Sequence, residues 1–418
     1  MLQGTVTLPP SKSISNRALL LSAMSRPATE NSIQQISNLS ECDDTTVMAA
    51  ALQRGQTADR QQIIDVGGAG TAMRFLTAYF AAKKGNDIVL TGNMRMRQRP
   101  IGPLVEALRS LGAEITYLDK EGYPPLHIQG QILHGDEATI DGSISSQFTS
   151  ALLMVMGQRG VDDERQAIDI FRLHLEGHIA SRPYIDMTIA LMKHYGIDAM
   201  WEDDHTIAVQ RGTYQNRPLT VEGDWTAASY WCALIDIAAC MHIPCDIHLE
   251  GLSTHSIQGD SICVDMLDPR RIMRGEMSVD CANYPDLVQT LAVAYCFMDV
   301  PFHIYGAESL RVKETNRIDA LTNELERLGY LVKVRTSEWR GHEEVTLIWD
   351  GTKERYGNEK SSLPTVRTYG DHRMAMAFAL AVLAKGEIRI EDPNVVSKSY
   401  PSFWDDLRNV GITVEEVS

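Results

Sequence analysis

The stretch Ser11–Arg17 reads SKSISNR and runs straight into the apolar ALLLSAM. Lys12, Arg17 and the hydroxyls of Ser11, Ser13 and Ser15 crowd what looks like a helix start. The backbone dipole is already positive there, so acidic side chains are its usual occupants. Serine capping explains one hydroxyl per helix. It does not explain Lys12 and Arg17. Cations and hydroxyls beside free N–H groups make an anion site.

Comparable starts recur along the chain. GGAGTAM presents Gly67, Gly68, Gly70 and Thr71, and SSQF presents Ser145, Ser146 and Gln147. NYPDLVQT presents Asp286, and GDHRMAM presents Asp371, His372 and Arg373. Three further patches are cationic: Arg95, Arg97 and Arg99 in RMRQRP; Lys313, Glu314 and Arg317 in RVKETNR; and Lys398 in VVSKSY. Arginine at this density suits bidentate grips on carboxylate or phosphate. Taken singly, RMRQRP and RVKETNR read equally well as solvated charged faces. If several of these starts face one cleft, they form a site for a small polyanion, with carboxylates and a histidine available for proton transfer.

Other chemistries lack their signatures. VGGAGTAM lacks the third glycine of a dinucleotide fingerprint, and there is no G-x-x-x-x-G-K-[ST] loop or G-x-S-x-G elbow. The seven cysteines show no C-x-x-C spacing, so zinc and disulfides are not expected, and a reducing compartment is. Net charge is −16, a poor match to nucleic acid or an anionic membrane, so an anionic substrate must be drawn in by local cations. No apolar run reaches the roughly 18 residues of a membrane span, and the amino terminus lacks a signal-peptide core. A cytoplasmic enzyme is the expectation.

Each polar start opens a largely apolar helical run, at residues 11, 68, 145, 224, 284 and 370. A more amphipathic second helix follows, clearest at RPIGPLVEALRSLG, RPYIDMTIALMKHYG, TNRIDALTNELERLG and YPSFWDDLRNVG. Each of these stops at glycine. Strands are expected next, at AEITYL, IDAMWE, YLVKVRT and ITVEEV, with further strands at DIVLTG, DIHLEG and FHIYG. The chain therefore reads as six degenerate strand–helix–strand–helix copies, grouped three and three. The VEGDW stretch around Gly223 lies between the groups as a hinge. The expected domains are 13–222, and 1–12 together with 223–418, with the initial strand GTVTL pairing in the second half.

The motifs LPPSKSISNRALLLSAM, GGAGTAMRFL, RMRQRPIGPLVEAL, DGSISSQFTSALLM, SRPYIDMT, RVKETNRI and GDHRMAMAFAL resemble, in order, those of the EPSP synthase family of enolpyruvyl transferases. The resemblance runs from about Leu8 to Pro401. It implies an α/β (α+β) fold of two domains, each of three βαβαββ units, in an inside-out barrel-like arrangement with the active site in the interdomain cleft. It also implies transfer of the enolpyruvyl group of phosphoenolpyruvate to the 5-hydroxyl of shikimate 3-phosphate, releasing phosphate, with no metal or organic cofactor and a monomeric chain. Carried over motif by motif, the shikimate 3-phosphate residues are Ser13, Arg17, Ser145, Ser146, Gln147, Ser181, Asp286, Ser309 and Lys313. The phosphoenolpyruvate residues are Lys12, Gly70, Arg99, Gln147, Arg317, Arg373 and Lys398. The resemblance makes Lys12, Asp286, Glu314 and His372 catalytic, with Glu314 exchanging the C3 proton and Asp286 serving the hydroxyl.

The sequence departs from the family at Gly68, where asparagine is usual, at Phe75, where proline is usual, and at Ser309, where asparagine is common. Two alternatives share the fold. One is a UDP-sugar enolpyruvyl transferase, whose loop cysteine has no counterpart in TGNMRMRQRPIG. The other is a non-catalytic phosphometabolite-binding protein, which would not need Lys12, Asp286, Glu314 and His372 together.

Overall fold

The computed structural model describes residues 1–25, 35–54, 61–158, 169–272, 275, 277–339, 342–354 and 365–417. The chain forms two units, Met1–Pro10 with Glu222–Ser418, and Ser11–Val221. Lys12 falls in the second unit, not with residues 1–12 as the sequence suggests. Ser11 accepts a hydrogen bond from the Ile14 N–H and opens the helix Lys12–Met24, so a boundary at 12/13 would cut that helix.

Each unit has its own hydrophobic core, and the two share no residue. The apolar helices are the reason. Gly70–Ala82 is buried from Gly70 to Ala81, and Ser146–Gly157 is nearly as enclosed. A helix that is apolar all round belongs in a core. These two pack on each other, and Lys12–Met24 also packs on Gly70–Ala82. In the other unit Val288–Phe297 packs on both Trp225–Cys240 and His372–Ala379. The second helices are amphipathic and lie further out. Gly102–Ser110, Arg182–His194, Arg317–Arg327 and Phe403–Asn409 each end two residues before a glycine at positive φ: Gly112, Gly196, Gly329 and Gly411. Only glycine enters that conformation without steric cost.

Three of the six copies are complete βαβαββ units with one topology. In the first, Gln62–Asp65 pairs parallel with Asp87–Thr91, which pairs antiparallel with Leu126–Gln129, which pairs antiparallel with Glu114–Tyr117. The same order recurs in the sheet spanning Glu137–Gln210 and in the sheet spanning Met277–Trp349. Among the described residues the other three copies show a parallel pair only: Leu219–Thr220 with Ile36–Ser37, Leu2–Thr7 with Cys245–Glu250, and Thr365–Val366 with Arg389–Ile390. Two of these pairs take their first strand from a distant part of the chain. Leu2–Thr7 supplies the strand before helix Trp225–Cys240, and Leu219–Thr220 supplies the strand before helix Lys12–Met24. ITVEEV is not a strand, because no neighbouring strand among the described residues offers it a ladder.

One core position works against the fold. Gln289 is fully buried in Val288–Phe297, and neither amide atom finds a hydrogen-bond partner among the described residues. Burying an unsatisfied amide costs about 1–3 kcal/mol. Gln289→Met, similar in volume and without the amide, is therefore expected to stabilise the protein by about that amount. A denaturant-unfolding midpoint that fails to rise contradicts this.

Candidate active site

In the unit Ser11–Val221, Arg17 is 2% exposed on its helix. Its Nε donates to Thr188 Oγ1 at 2.7 Å, and its Nη1 to the Ser13 carbonyl at 3.0 Å. Its Nη2 donates to Ser150 Oγ at 3.2 Å and to the Tyr184 carbonyl at 3.1 Å. All these acceptors are neutral. Burial pushes the guanidinium down to about 10, with Tyr184 opposing, so it remains cationic at neutral pH. A buried cation whose acceptors are all neutral is costly, and a bound anion relieves that cost. Lys12, on the same helix start, has a countercharge: its Nζ is 3.4 Å from Asp44 Oδ2.

The next starts converge on one another. Gln147 donates to Thr71 Oγ1 at 3.1 Å, joining the openings of Ser146–Gly157 and Gly70–Ala82. Ser145 caps its helix by accepting from the Gln147 N–H, and Ser146 is buried beside it. Arg99 lies against Gly70: a methyl group there would stand 2.6 Å from Arg99 Nη1, so the guanidinium would have to shift. Arg74 holds this arrangement. Its Nη1 donates to the Gly70 carbonyl at 3.3 Å and its Nη2 to the Pro100 carbonyl at 3.1 Å. Ser181 precedes Arg182–His194 at φ 57°, a rare conformation for serine, and its hydroxyl makes no cap bond. Phe75 is buried with its ring centre 5.3 Å from the Arg17 guanidinium carbon.

In the other unit Arg317 is the hub. It is 1% exposed at the first residue of Arg317–Arg327. Its Nε donates to Asp371 Oδ2 at 2.7 Å, its Nη1 to Asp286 Oδ1 at 3.0 Å and its Nη2 to Glu314 Oε2 at 2.9 Å. Arg373 Nη2 donates to the second Asp286 oxygen at 2.7 Å. Lys398 Nζ is 3.4 Å from the second Glu314 oxygen. Asp286 and Glu314 are thus each bracketed by two cations. His372 is buried, with Nδ1 3.7 Å from Asp371 Oδ1. Asp371 also caps the helix His372–Ala379 through the Arg373 N–H at 2.9 Å. Ser309, in the turn Glu308–Val312, and Lys313 are half-buried just upstream of Glu314.

Burial acts to raise the Asp286 carboxyl, but Arg373, Lys313 and Arg317 outweigh it and hold the group far below the usual carboxylate range. The folded chain thus favours its ionised form. The resulting stability is complete above the unfolded-state value of about 3.9. It is lost only as pH falls toward the depressed folded value. Asp286→Asn is expected to flatten the acid limb of stability measured by denaturant unfolding between about pH 2 and 6. An unchanged slope contradicts the depressed value.

Nearby Asp260 is the opposite case. Burial and the Asp286 charge raise it to about 6, although Thr226 donates to it.

The residues that sequence reasoning leaves without a role are mostly partners of those it names. Asp371 announces itself only as a cap, yet it is the tightest carboxylate on Arg317. Arg74 has one signal, a lone cation inside the apolar run TAMRFLTAYF. Thr188, Ser150 and Asp44 carry none. Among the described residues no helix is long and apolar enough to cross a membrane.

Comparison with known proteins agrees in sequence and in fold. The family model described as EPSP synthase (3-phosphoshikimate 1-carboxyvinyltransferase) matches residues 1–55 and 53–407. A Bacteroides fragilis protein named 3-phosphoshikimate 1-carboxyvinyltransferase is 42% identical over 442 residues, covering 99% of this chain and 97% of the relative. One of the same name from Actinobacillus succinogenes is 36% identical over 450 residues, covering 98% and 97%. An EPSP synthase structure from Acinetobacter baumannii superposes with a TM-score of 0.68 at 18% identity, covering 99% and 97%. An enolpyruvyl transferase from Streptomyces tendae does so with a TM-score of 0.64 at 13% identity, covering 99% and 95%; both structures speak to the fold alone. With the motifs in order, the repeats in place and relatives of this identity over nearly the whole chain, the protein belongs to the EPSP synthase (3-phosphoshikimate 1-carboxyvinyltransferase) family.

Proposed function

We propose that the chain transfers the enolpyruvyl group of phosphoenolpyruvate to the 5-hydroxyl of shikimate 3-phosphate, releasing phosphate. The observation that carries this reading is the pair of bracketed carboxylates, Glu314 between Arg317 and Lys398 and Asp286 between Arg317 and Arg373. The reaction needs two proton-transfer groups beside a cluster of cations, and that is the composition present.

Lys12, Gly70, Arg99, Gln147, Arg317, Arg373 and Lys398 take phosphoenolpyruvate. Its phosphate and carboxylate each call for bidentate cationic partners. Ser13, Arg17, Ser145, Ser146, Gln147, Ser181, Asp286, Ser309 and Lys313 take shikimate 3-phosphate. Ser145, Ser146 and Ser181 meet its 3-phosphate, and this anion supplies the countercharge for Arg17.

Glu314 delivers a proton to C3 of phosphoenolpyruvate. C2 becomes cationic and the 5-hydroxyl oxygen bonds to it while Asp286 takes the hydroxyl proton. The tetrahedral ketal phosphate then expels phosphate, which leaves with the proton Asp286 took from the hydroxyl, and one of the three hydrogens of the C3 methyl passes as a proton to Glu314. Lys12 and His372 balance the charge. The free site holds Asp286 ionised through its cations, and Glu314 lies against Arg317 and Lys398. When an anionic substrate draws Arg317, Arg373 and Lys398 toward itself, it weakens that hold and makes both groups better proton carriers.

Incubation with phosphoenolpyruvate and either acceptor tests this. Phosphate release with shikimate 3-phosphate and none with a UDP-sugar is expected; the reverse, or release with neither, overturns it. Gly70→Ala probes the phosphoenolpyruvate contact. The new methyl displaces the Arg99 guanidinium, so KM for phosphoenolpyruvate is expected to rise about tenfold, the loss of one charge-assisted contact. An unchanged KM would place Arg99 away from that substrate.

A further inference from the structure

The helix Arg317–Arg327 carries a second buried charge that the reaction does not use. Glu324 lies seven residues after Arg317, two helical turns along and on the same face. Its side chain is 1% exposed. It accepts from the Tyr369 hydroxyl at 2.8 Å and from the Arg367 backbone N–H at 3.2 Å. Arg327 Nη1 reaches both of its oxygens, at 3.0 and 2.9 Å.

What Glu324 holds is a strained approach to the site. Tyr369 and Gly370 stand at φ 54° and 69°. Tyrosine adopts that region only where its surroundings enforce it. Asp371, His372 and Arg373 follow immediately. Arg317, on the same helix, grips Asp371 at 2.7 Å. One helix face therefore clamps the segment on both sides of the left-handed pair, with Glu324 before it and Arg317 after it. Packing alone does not call for a carboxylate here. The neighbouring buried positions Leu321 and Leu325 are apolar, and a buried charge is retained at a cost unless its hydrogen bonds are used.

We propose that Glu324 is a positioning residue, pinning Arg367 and Tyr369 so that the left-handed Tyr369–Gly370 turn presents His372 and Arg373 to phosphoenolpyruvate. This rests on the roles given to His372 and Arg373 above. Two variants test it. Glu324→Gln keeps the side-chain shape and removes the charge. Tyr369→Phe removes one pinned hydroxyl from a residue that is 39% exposed, a change the fold tolerates.

Hydrogen–deuterium exchange reads the pin without reference to activity. Residues 365–373 are expected to exchange about tenfold faster in both variants, with residues 12–24 unchanged. Kinetics read the consequence. KM for phosphoenolpyruvate is expected to rise about fivefold to tenfold while KM for shikimate 3-phosphate changes by less than about twofold. The double variant should show less than the product of the two single effects, because the two residues share one bond. Unchanged exchange over 365–373 overturns the pin. Faster exchange with an unchanged phosphoenolpyruvate KM, or with both KM values raised equally, overturns the positioning role. A wild-type chain that releases no phosphate overturns the functional reading instead, and the exchange rates still decide whether Glu324 holds the turn.

Discussion

Arg317→Lys is expected to slow phosphate release by about 10²–10³ and to destabilise the unit that contains it. The arginine spends its Nε on Asp371, its Nη1 on Asp286 and its Nη2 on Glu314. A planar fork can face three carboxylates at once; a lysine ammonium is a single point on a flexible stem. Asp371 is fully buried, so losing its partner leaves a carboxylate with neither water nor a guanidinium. Breaking a buried pair from one side costs about 3–5 kcal/mol. Catalysis suffers separately, because Asp286 and Glu314 lose their common orienting group and phosphoenolpyruvate loses a bidentate partner. Removing one donor of this kind typically costs about 10²–10³ in turnover. Urea unfolding and the phosphate-release assay check both parts. A stability change below about 1 kcal/mol, with turnover within tenfold of wild type, contradicts the hub.

Glu314→Gln is expected to behave differently, with turnover lost and the fold kept. Glu314 is 12% exposed and lies at the margin of the cluster, 2.9 Å from Arg317 Nη2 and 3.4 Å from Lys398 Nζ. Glutamine preserves its shape and still accepts from either cation, but it cannot deliver a proton to carbon. General acid–base catalysis contributes about 10²–10⁴, and turnover should fall by that factor. Binding of shikimate 3-phosphate, measured by calorimetry, should stay within about threefold of wild type, since Glu314 is not among its ligands. Turnover reduced less than about tenfold removes Glu314 as the acid.

These two variants also mark what the sequence disclosed. RVKETNR presents Lys313, Glu314 and Arg317 as one charged patch, and nothing in their spacing separates a hub from a proton carrier. The helix begins only at Arg317, with Asn316 as its N-cap, so Lys313 and Arg317 never face each other as like charges one turn apart. The periodic features were legible. The six apolar helices, the glycine stops of the second helices and the strand–helix–strand–helix repeat all follow from local pattern, while the full βαβαββ order enters through the family resemblance. The pairing of the initial strand within the second half is expected from the sequence and observed; the pairing of Leu219–Thr220 with Ile36–Ser37 and the reduced copies are not foreseen, because they rest on long-range contacts that no local pattern records. The same holds in the site. Lys12, Arg17, Arg99 and Arg373 stand out by type at helix or loop openings. Asp371, Arg74 and Glu324 act through partners tens of residues away, and their types alone are those of an ordinary cap, a stray cation and a helix-face carboxylate.

The central claim is that C3 of phosphoenolpyruvate is transiently protonated and then gives a proton back. Running the reaction in deuterium oxide with shikimate 3-phosphate tests it directly. Protonation converts the C3 methylene to a methyl group, and elimination removes one of three hydrogens, so the enolpyruvyl product must carry solvent deuterium at its terminal methylene. Mass spectrometry and proton magnetic resonance of that product are expected to show it, and Glu314→Gln is expected to suppress both product and label. Product formed at the wild-type rate with an unlabelled methylene contradicts the account, because C3 would then never have been protonated.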